Sequence, residues 1–326
     1  MLRSKSGTEW KKSPAHLLLL SKHLSPRVTS DFARGDNWQE VLGEPVAKAI
    51  NRFKDDNVID ILATDELLDI KYKVTELKQI LKSKQIQVSG TKRALIQRLL
   101  NADPEGAQKA VADMTVYICT MEGKSIADQY LAHEKEKRTL TEQHVLESLK
   151  NAKYKEAAII VAQFEAEQVF PRGMGIDWEK YNTKHDEIFL NKLFTCKPKV
   201  LSALSNEQLY TGRLIGALRR LFSYSDNYLS LPDDFDNPTV YDKSSILHLL
   251  MSNAYFHTVI AEAVELHRTL GNIVIEVLTV NDDLVCDECK TLTKHPFEIN
   301  QVPELPYQKC TCKFGCRCSI SARPQY

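Results

Sequence analysis

Apolar residues recur at helical spacing along most of the chain. Trp38, Val41, Leu42, Val46, Ile50 and Phe53 predict a helix over 37–54, bent or divided at Pro45. Val74, Leu77, Ile80 and Leu81 form the apolar face of one short helix, and Leu95, Ile96, Leu99 and Leu100 that of another. Between them, Ile86 and Val88 alternate with polar residues in a short extended link. Residues 124–137 and 141–169 read as two helices, the second starting at Thr141 and stopped by Pro171-Arg172-Gly173-Met174-Gly175. Helices continue over 184–224 with a break near Pro198. Residues 225–242 hold aspartates and prolines but no basic residue, which predicts an exposed acidic loop. The clearest helix spans 244–270, with Ser244 or Ser245 as cap and Gly271 as stop. Ile273–Val280 is rich in β-branched residues and reads as a strand.

The expected fold is therefore mainly α: a helix–extended–helix module, a multi-helix body and a small strand-containing tail. Four segments follow: a basic arm and helix (1–62), the module (63–102), the helical body (107–270) and a cysteine-rich tail (271–326). Residues 1–36 are rich in Ser, Lys and Arg and read as a loose basic arm or an irregular packing segment. A length of 326 residues fits two or three units. No apolar run approaches the ~20 residues that span a bilayer. Leu17–Leu20 is too short for a secretion signal. A soluble, cytoplasmic or virion-associated protein without membrane contact is expected.

Formal net charge is zero, so partners must be sought in local asymmetry. The module supplies it. Lys71, Lys73, Lys78, Lys82, Lys84, Lys92, Arg93 and Arg98 face a lone acidic residue, Glu76. Such a patch is an electrostatic footprint for nucleic acid, although a charge run alone is usually a solvated face. A second feature is independent of charge. Gly90 permits positive φ where the link enters the second helix, and Ser89 or Thr91 can cap it. Free N–H groups at that helix start attract phosphate. Lys92 and Arg93 sit in the first turn, where the helix dipole disfavours cations unless an anion shares the site. The candidate nucleic-acid contacts are Lys73, Lys78, Lys82, Ser89, Gly90, Thr91, Lys92, Arg93 and Arg98.

Val-x-Glu-Leu-Lys (74–78), Val-Ser-Gly-Thr-Lys (88–92) and Leu-Ile-x-Arg-Leu (95–99) resemble the SAP domain over about residues 67–102. Gln85 stands where that family places glycine. The resemblance implies binding to duplex DNA, often AT-rich and with modest sequence selectivity; some members bind RNA.

Six of the eight cysteines gather in the tail as Cys286-x2-Cys289, then Cys310-x-Cys312-x3-Cys316-x-Cys318. Tetrahedral zinc takes four soft ligands, and Cys-x2-Cys supplies two from one turn. Six thiols exceed one mononuclear site. Either two are spare or two Zn2+ ions share bridging thiolates, and reduced thiols or disulfides are the plainer alternative. His295 is a possible substitute ligand. Cys119 and Cys196, in apolar surroundings, read as structural thiols. The run Asn281-Asp282-Asp283-Leu284-Val285-Cys286-x2-Cys289, then Phe297, Leu305-Pro306 and Cys-x-Cys, resembles the C-terminal segment of the Mu-type phage head-morphogenesis (minor head protein) family. That resemblance implies a phage or prophage origin and a portal or capsid partner.

No phosphate-binding loop, dinucleotide fingerprint or His-Glu-x-x-His is present. The residues favour a non-enzymatic, zinc-stabilised DNA-binding protein. A nuclease-like enzyme with its active site in the helical body, or a prophage regulator or defence factor, is the alternative.

Overall fold

Ser13 accepts a hydrogen bond from the His16 backbone and Pro14 fills the first helical position, so the early leucine cluster forms helix α1 (Pro14–Lys22). The computed structural model describes residues 9–32, 37–173, 175–222, 228, 230–280 and 282–325. Parts of the basic N-terminal segment (1–8 and 33–36), Met174 of the stop motif, residues 225–227 and 229 of the acidic segment, and Asn281 lie outside these. The chain divides into two units, Met1–Lys137 and Arg138–Tyr326.

In the first unit, Leu19 and Leu20 of α1 are fully buried, and Trp10 stacks obliquely on Phe53 at 4.8 Å between ring centroids. Residues 9–32 are thus a packing segment, and strand β1 (Arg27–Val28) belongs to a sheet. The helix expected over 37–54 is two, α2 (Trp38–Leu42) and α3 (Val46–Asp55), because Gly43 turns left-handed and Pro45 caps the second. Strand β2 (Ile59–Ile61) follows. Next come four short helices: α4 (Thr64–Lys71), α5 (Val74–Ser83), α6 (Lys92–Ala102) and α7 (Pro104–Ala110). Strand β3 (Val116–Cys119) closes an antiparallel sheet in the order β1-β3-β2. Leu68, Leu77, Leu81 and Leu95 are fully buried in a core that α4 to α7 share. Removing each from water contributes about 2 kcal/mol.

Helix α8 (Met121–Lys150) corrects the expected break near 138–140. Its sequence has neither proline nor glycine between Lys124 and Lys150, so nothing interrupts it. The turn comes instead at Ala152, in the left-handed region, before α9 (Tyr154–Ala166).

In the second unit, α9 packs with α10 (Lys184–Thr195), α11 (Asn206–Phe222) and α12 (Lys243–Leu270). Buried Asp186 of α10 pairs with Arg220 of α11 at 2.8 Å and accepts from the Tyr181 hydroxyl at 2.9 Å. The acidic segment is largely exposed where described, with Leu231 anchored in the core. Asp242 caps α12, accepting from Ser245 N at 2.7 Å, two or three residues before the serines expected; a carboxylate there also suits the helix dipole. Gly271 ends it as anticipated.

Strand β4 (Ile273–Leu278) then leads into α13 (Asp287–Leu292), β5 (Phe297–Glu298) and β6 (Ser319–Pro324). The sheet is antiparallel, ordered β5-β4-β6, with Glu276 opposite Ser321 and its carboxylate bonded to Arg323 at 2.7 Å. The sequence places a division at residue 270. In the structure, tail residues Ile275, Cys289, Leu292, Cys316 and Ile320 share one continuous core with Leu190, Leu249 and Leu250 of the helices.

Candidate nucleic-acid interface and metal centre

The corner that joins α5 to α6 is built from two left-handed residues. Gln85, with φ 58°, ends the first helix, and Gly90, with φ 115°, turns the link into the second. A glutamine tolerates the first; the second lies where a side chain is strained. Thr91 caps α6, accepting from Ala94 N at 3.4 Å. The N–H groups of Lys92 and Arg93 in the first turn therefore have no intrahelical acceptor. Ser89 is exposed and accepts from the Gln87 side chain at 2.9 Å.

The nine candidate contacts separate into groups. Lys73, Lys78 and Lys82 all project from α5 or its cap, exposed, without an ion-pair partner among the described residues. Arg98 turns inward and donates to the carbonyls of Gln87 (3.2 Å) and Ser89, bracing the corner. Lys92 reaches back to α4, pairing with the Asp69 carboxylate at 3.2 Å and donating to its carbonyl. Its charge meets the C-terminal end of α4, where the dipole favours a cation. That resolves the apparent misplacement of Lys92 in a helix first turn. Arg93 borders a cleft of about 500 Å³ that Asp65, Glu66 and Asp69 also line. Lys84 pairs with Asp103 and Lys71 with Asp113. The basic excess of the sequence thus survives as free charge mainly along α5.

In the tail, the sulfurs of Cys286, Cys289, Cys310 and Cys312 all lie within 4.8 Å of one another, and so do those of Cys289, Cys316 and Cys318. All six are free thiols. Backbone N–H groups point at sulfur: Thr311 to Cys286 (3.4 Å), Cys286 to Cys312 (3.3 Å) and Cys312 to Cys310 (3.4 Å). Burial raises the Cys286 pKa, but the hydrogen bonds from Thr311 and Cys289 outweigh it and bring it down to about 6. Burial pushes Cys289 up to about 12, and thiol neighbours with burial push Cys310 and Cys318 up as well. Hydrogen bonds from Cys310 and Cys318 hold Cys316 well below the usual thiol range. Packed thiols resist joint ionisation unless a cation joins them. Sulfurs at ~2.3 Å from zinc lie about 3.8 Å apart, so these need shift by only about half an ångström each. The cluster could hold a metal ion. His295 is exposed and belongs to neither group.

A third constellation is invisible in the sequence. Cys196, Asn253, His257 and Glu304 come together from the end of α10, from α12 and from the tail. His257 Nε2 lies 3.4 Å from the Glu304 carboxylate, which also accepts from Asn253 at 3.2 Å and pairs with Lys199 at 3.3 Å. A hydrogen bond with His257 lowers the Cys196 pKa, and the same bond, with Glu304, raises that of His257. Cys196 read as a structural thiol, yet it sits in the environment that activates thiolates. His257 and Glu304 are 47 positions apart, and no local spacing encodes the set.

Fold and corner together define a mainly helical protein with a compact module of nucleic-acid-binding type. The SAP domain family model matches residues 71–104, which supports nucleic-acid binding for this segment. No curated protein matches the chain. Among the described residues, no helix is long and apolar enough to cross a membrane.

Proposed function

We propose that the protein binds duplex DNA through the module at residues 63–102, and that a zinc-held tail at 271–326 stabilises the second unit. The observation that carries the DNA reading is the corner itself: Gly90 at φ 115° and Thr91 capping α6 within the SAP match. There the N–H groups of Lys92 and Arg93 receive a phosphodiester oxygen, with the Ser89 hydroxyl beside them. Lys73, Lys78, Lys82 and Arg93 supply the counter-charge; Lys92 and Arg98 position the corner. Contacts of this kind fix the protein on the backbone and read little sequence.

Replacing Lys78 and Lys82 by glutamate weakens binding of the full chain to a short duplex and flattens its salt dependence. Each lost phosphate contact takes ~0.9 from the slope of log K against log salt. An unchanged slope in a fluorescence-anisotropy titration at several salt concentrations refutes the α5 interface.

A second reading concerns biological setting. Strand β4, the Cys286–Cys289 pair, Phe297 in β5 and the Cys-x-Cys run follow one another in the order of the phage minor-head segment. This order supports a virion component that handles DNA near a portal. Co-sedimentation with capsid or portal protein tests it.

A further inference from the structure

The two thiol groups of the tail are not separate. Cys289 belongs to both. Cys310, a member of the first, also contacts Cys316 of the second. Cys289 therefore lies between two outer pairs, Cys286 and Cys312 on one side and Cys316 and Cys318 on the other, with Cys310 in the first group and beside Cys316. We propose that the tail holds two metal ions of the zinc class in one binuclear thiolate cluster, with Cys289 and Cys310 bridging, Cys286 and Cys312 completing the first ion's shell, and Cys316 and Cys318 the second's. The proposal rests on the metal-held tail proposed above and gives it a nuclearity and a ligand assignment.

Three observations favour this over one ion with two spare thiols. Tetrahedral zinc needs four ligands, and two tetrahedra that share an edge use six sulfurs, the number gathered here. A single ion on the first four would leave Cys316 and Cys318, 2% and 4% exposed, as buried thiols beside a bridging-capable ligand with no structural task. Charge gives the third. One divalent ion with four thiolates carries about −2, and a second ion brings in two more thiolates without changing that total. The second ion therefore adds coordination without adding buried charge. Arg317, between Cys316 and Cys318 in the chain, is already paired with Asp282 through two bonds of 2.6 and 2.8 Å.

The test uses the full chain, purified without chelator and desalted into low-zinc buffer. Elemental analysis is expected to give two zinc ions per chain. Cadmium-113 exchanged for zinc is expected to give two resonances in the thiolate region, each split by coupling to the other through the shared sulfurs. One ion per chain, or two uncoupled resonances, overturns the binuclear cluster and leaves the metal-held tail standing; no bound ion overturns both. Cys289→Ser is expected to lose both ions, and Cys318→Ser only the second. Loss of a single ion from Cys289→Ser also overturns the bridging assignment. Should Cys289→Ser fail to fold, the cadmium coupling of the unaltered chain decides alone. The variant Cys196→Ser with His257→Ala controls for the other thiol–imidazole set, and a count that falls below two in it overturns the assignment.

Discussion

Lys92 and Arg98 are cations that the protein uses on itself. One stitches α6 to the end of α4 through Asp69, and the other holds the carbonyls of the corner. In the proposed interface their contribution to phosphate binding is indirect, through the shape of the loop. Gly90→Ala, which puts a side chain at φ 115°, is expected to cost the module about 1 kcal/mol, measured by denaturant unfolding of the full chain. The positive φ at Gly90 was legible because glycine before a capping threonine has few other uses. The partner of Lys92 was not, because Asp69 lies 23 positions back on another helix. Cys196 makes a second residue-scale prediction. Its pKa is lowered by His257, so more of it is thiolate at neutral pH than in Cys119, which burial pushes up to about 11. Peptide mapping after brief alkylation at pH 7 should find Cys196 labelled well ahead of Cys119. Its rate should fall as pH drops through the lowered pKa. His257→Ala removes the hydrogen bond, raises the thiol pKa and slows labelling several-fold. Equal rates for the two thiols contradict this environment.

At the scale of elements, caps and breaks decide where helices begin. A cap at Ser89 or Thr91 was readable from the sequence, and the structure gives it to Thr91. The Asp242 cap was missed in favour of Ser244 or Ser245, because serine and aspartate are both strong capping residues and stand within three positions of each other. Thr91→Ala is expected to cost about 1 kcal/mol and to weaken DNA binding, while Thr91→Ser restores both. A loss that serine fails to rescue would assign Thr91 a packing role. The uninterrupted α8 carries the complementary lesson. A change in apolar pattern near Thr141 suggested a new helix, yet a pattern can drift around a helix without any break in its backbone. Stop residues report on chain direction more directly than periodicity does.

At the scale of the molecule, the helical body and the tail were legible as types of structure. That they close on one core was not, because the contacts join residues far apart in sequence. Ile320 and Ile275 share one core with Leu249, so the sheet and α12 stabilise each other. Metal affinity held in such a tail is folding free energy for everything that shares its core. Chelation is expected to lower the melting temperature of the second unit, followed by calorimetry of the full chain. An unaltered thermogram after complete zinc removal would show the cluster to be dispensable.

Burial of three of the six tail thiols would set the tempo of that removal. Cys289 is inaccessible at 0% exposure, and Cys316 and Cys318 are nearly so. A chelator cannot take an ion from sulfurs it cannot approach. Release of an ion held by Cys289, Cys316 and Cys318 would then wait for opening of the hydrophobic interior, its rate levelling off as chelator is added, whereas half-buried Cys286, Cys310 and Cys312 leave an ion on their side open to direct attack. An ion on the buried thiols would behave less as an exchangeable ligand than as a component sealed in at folding.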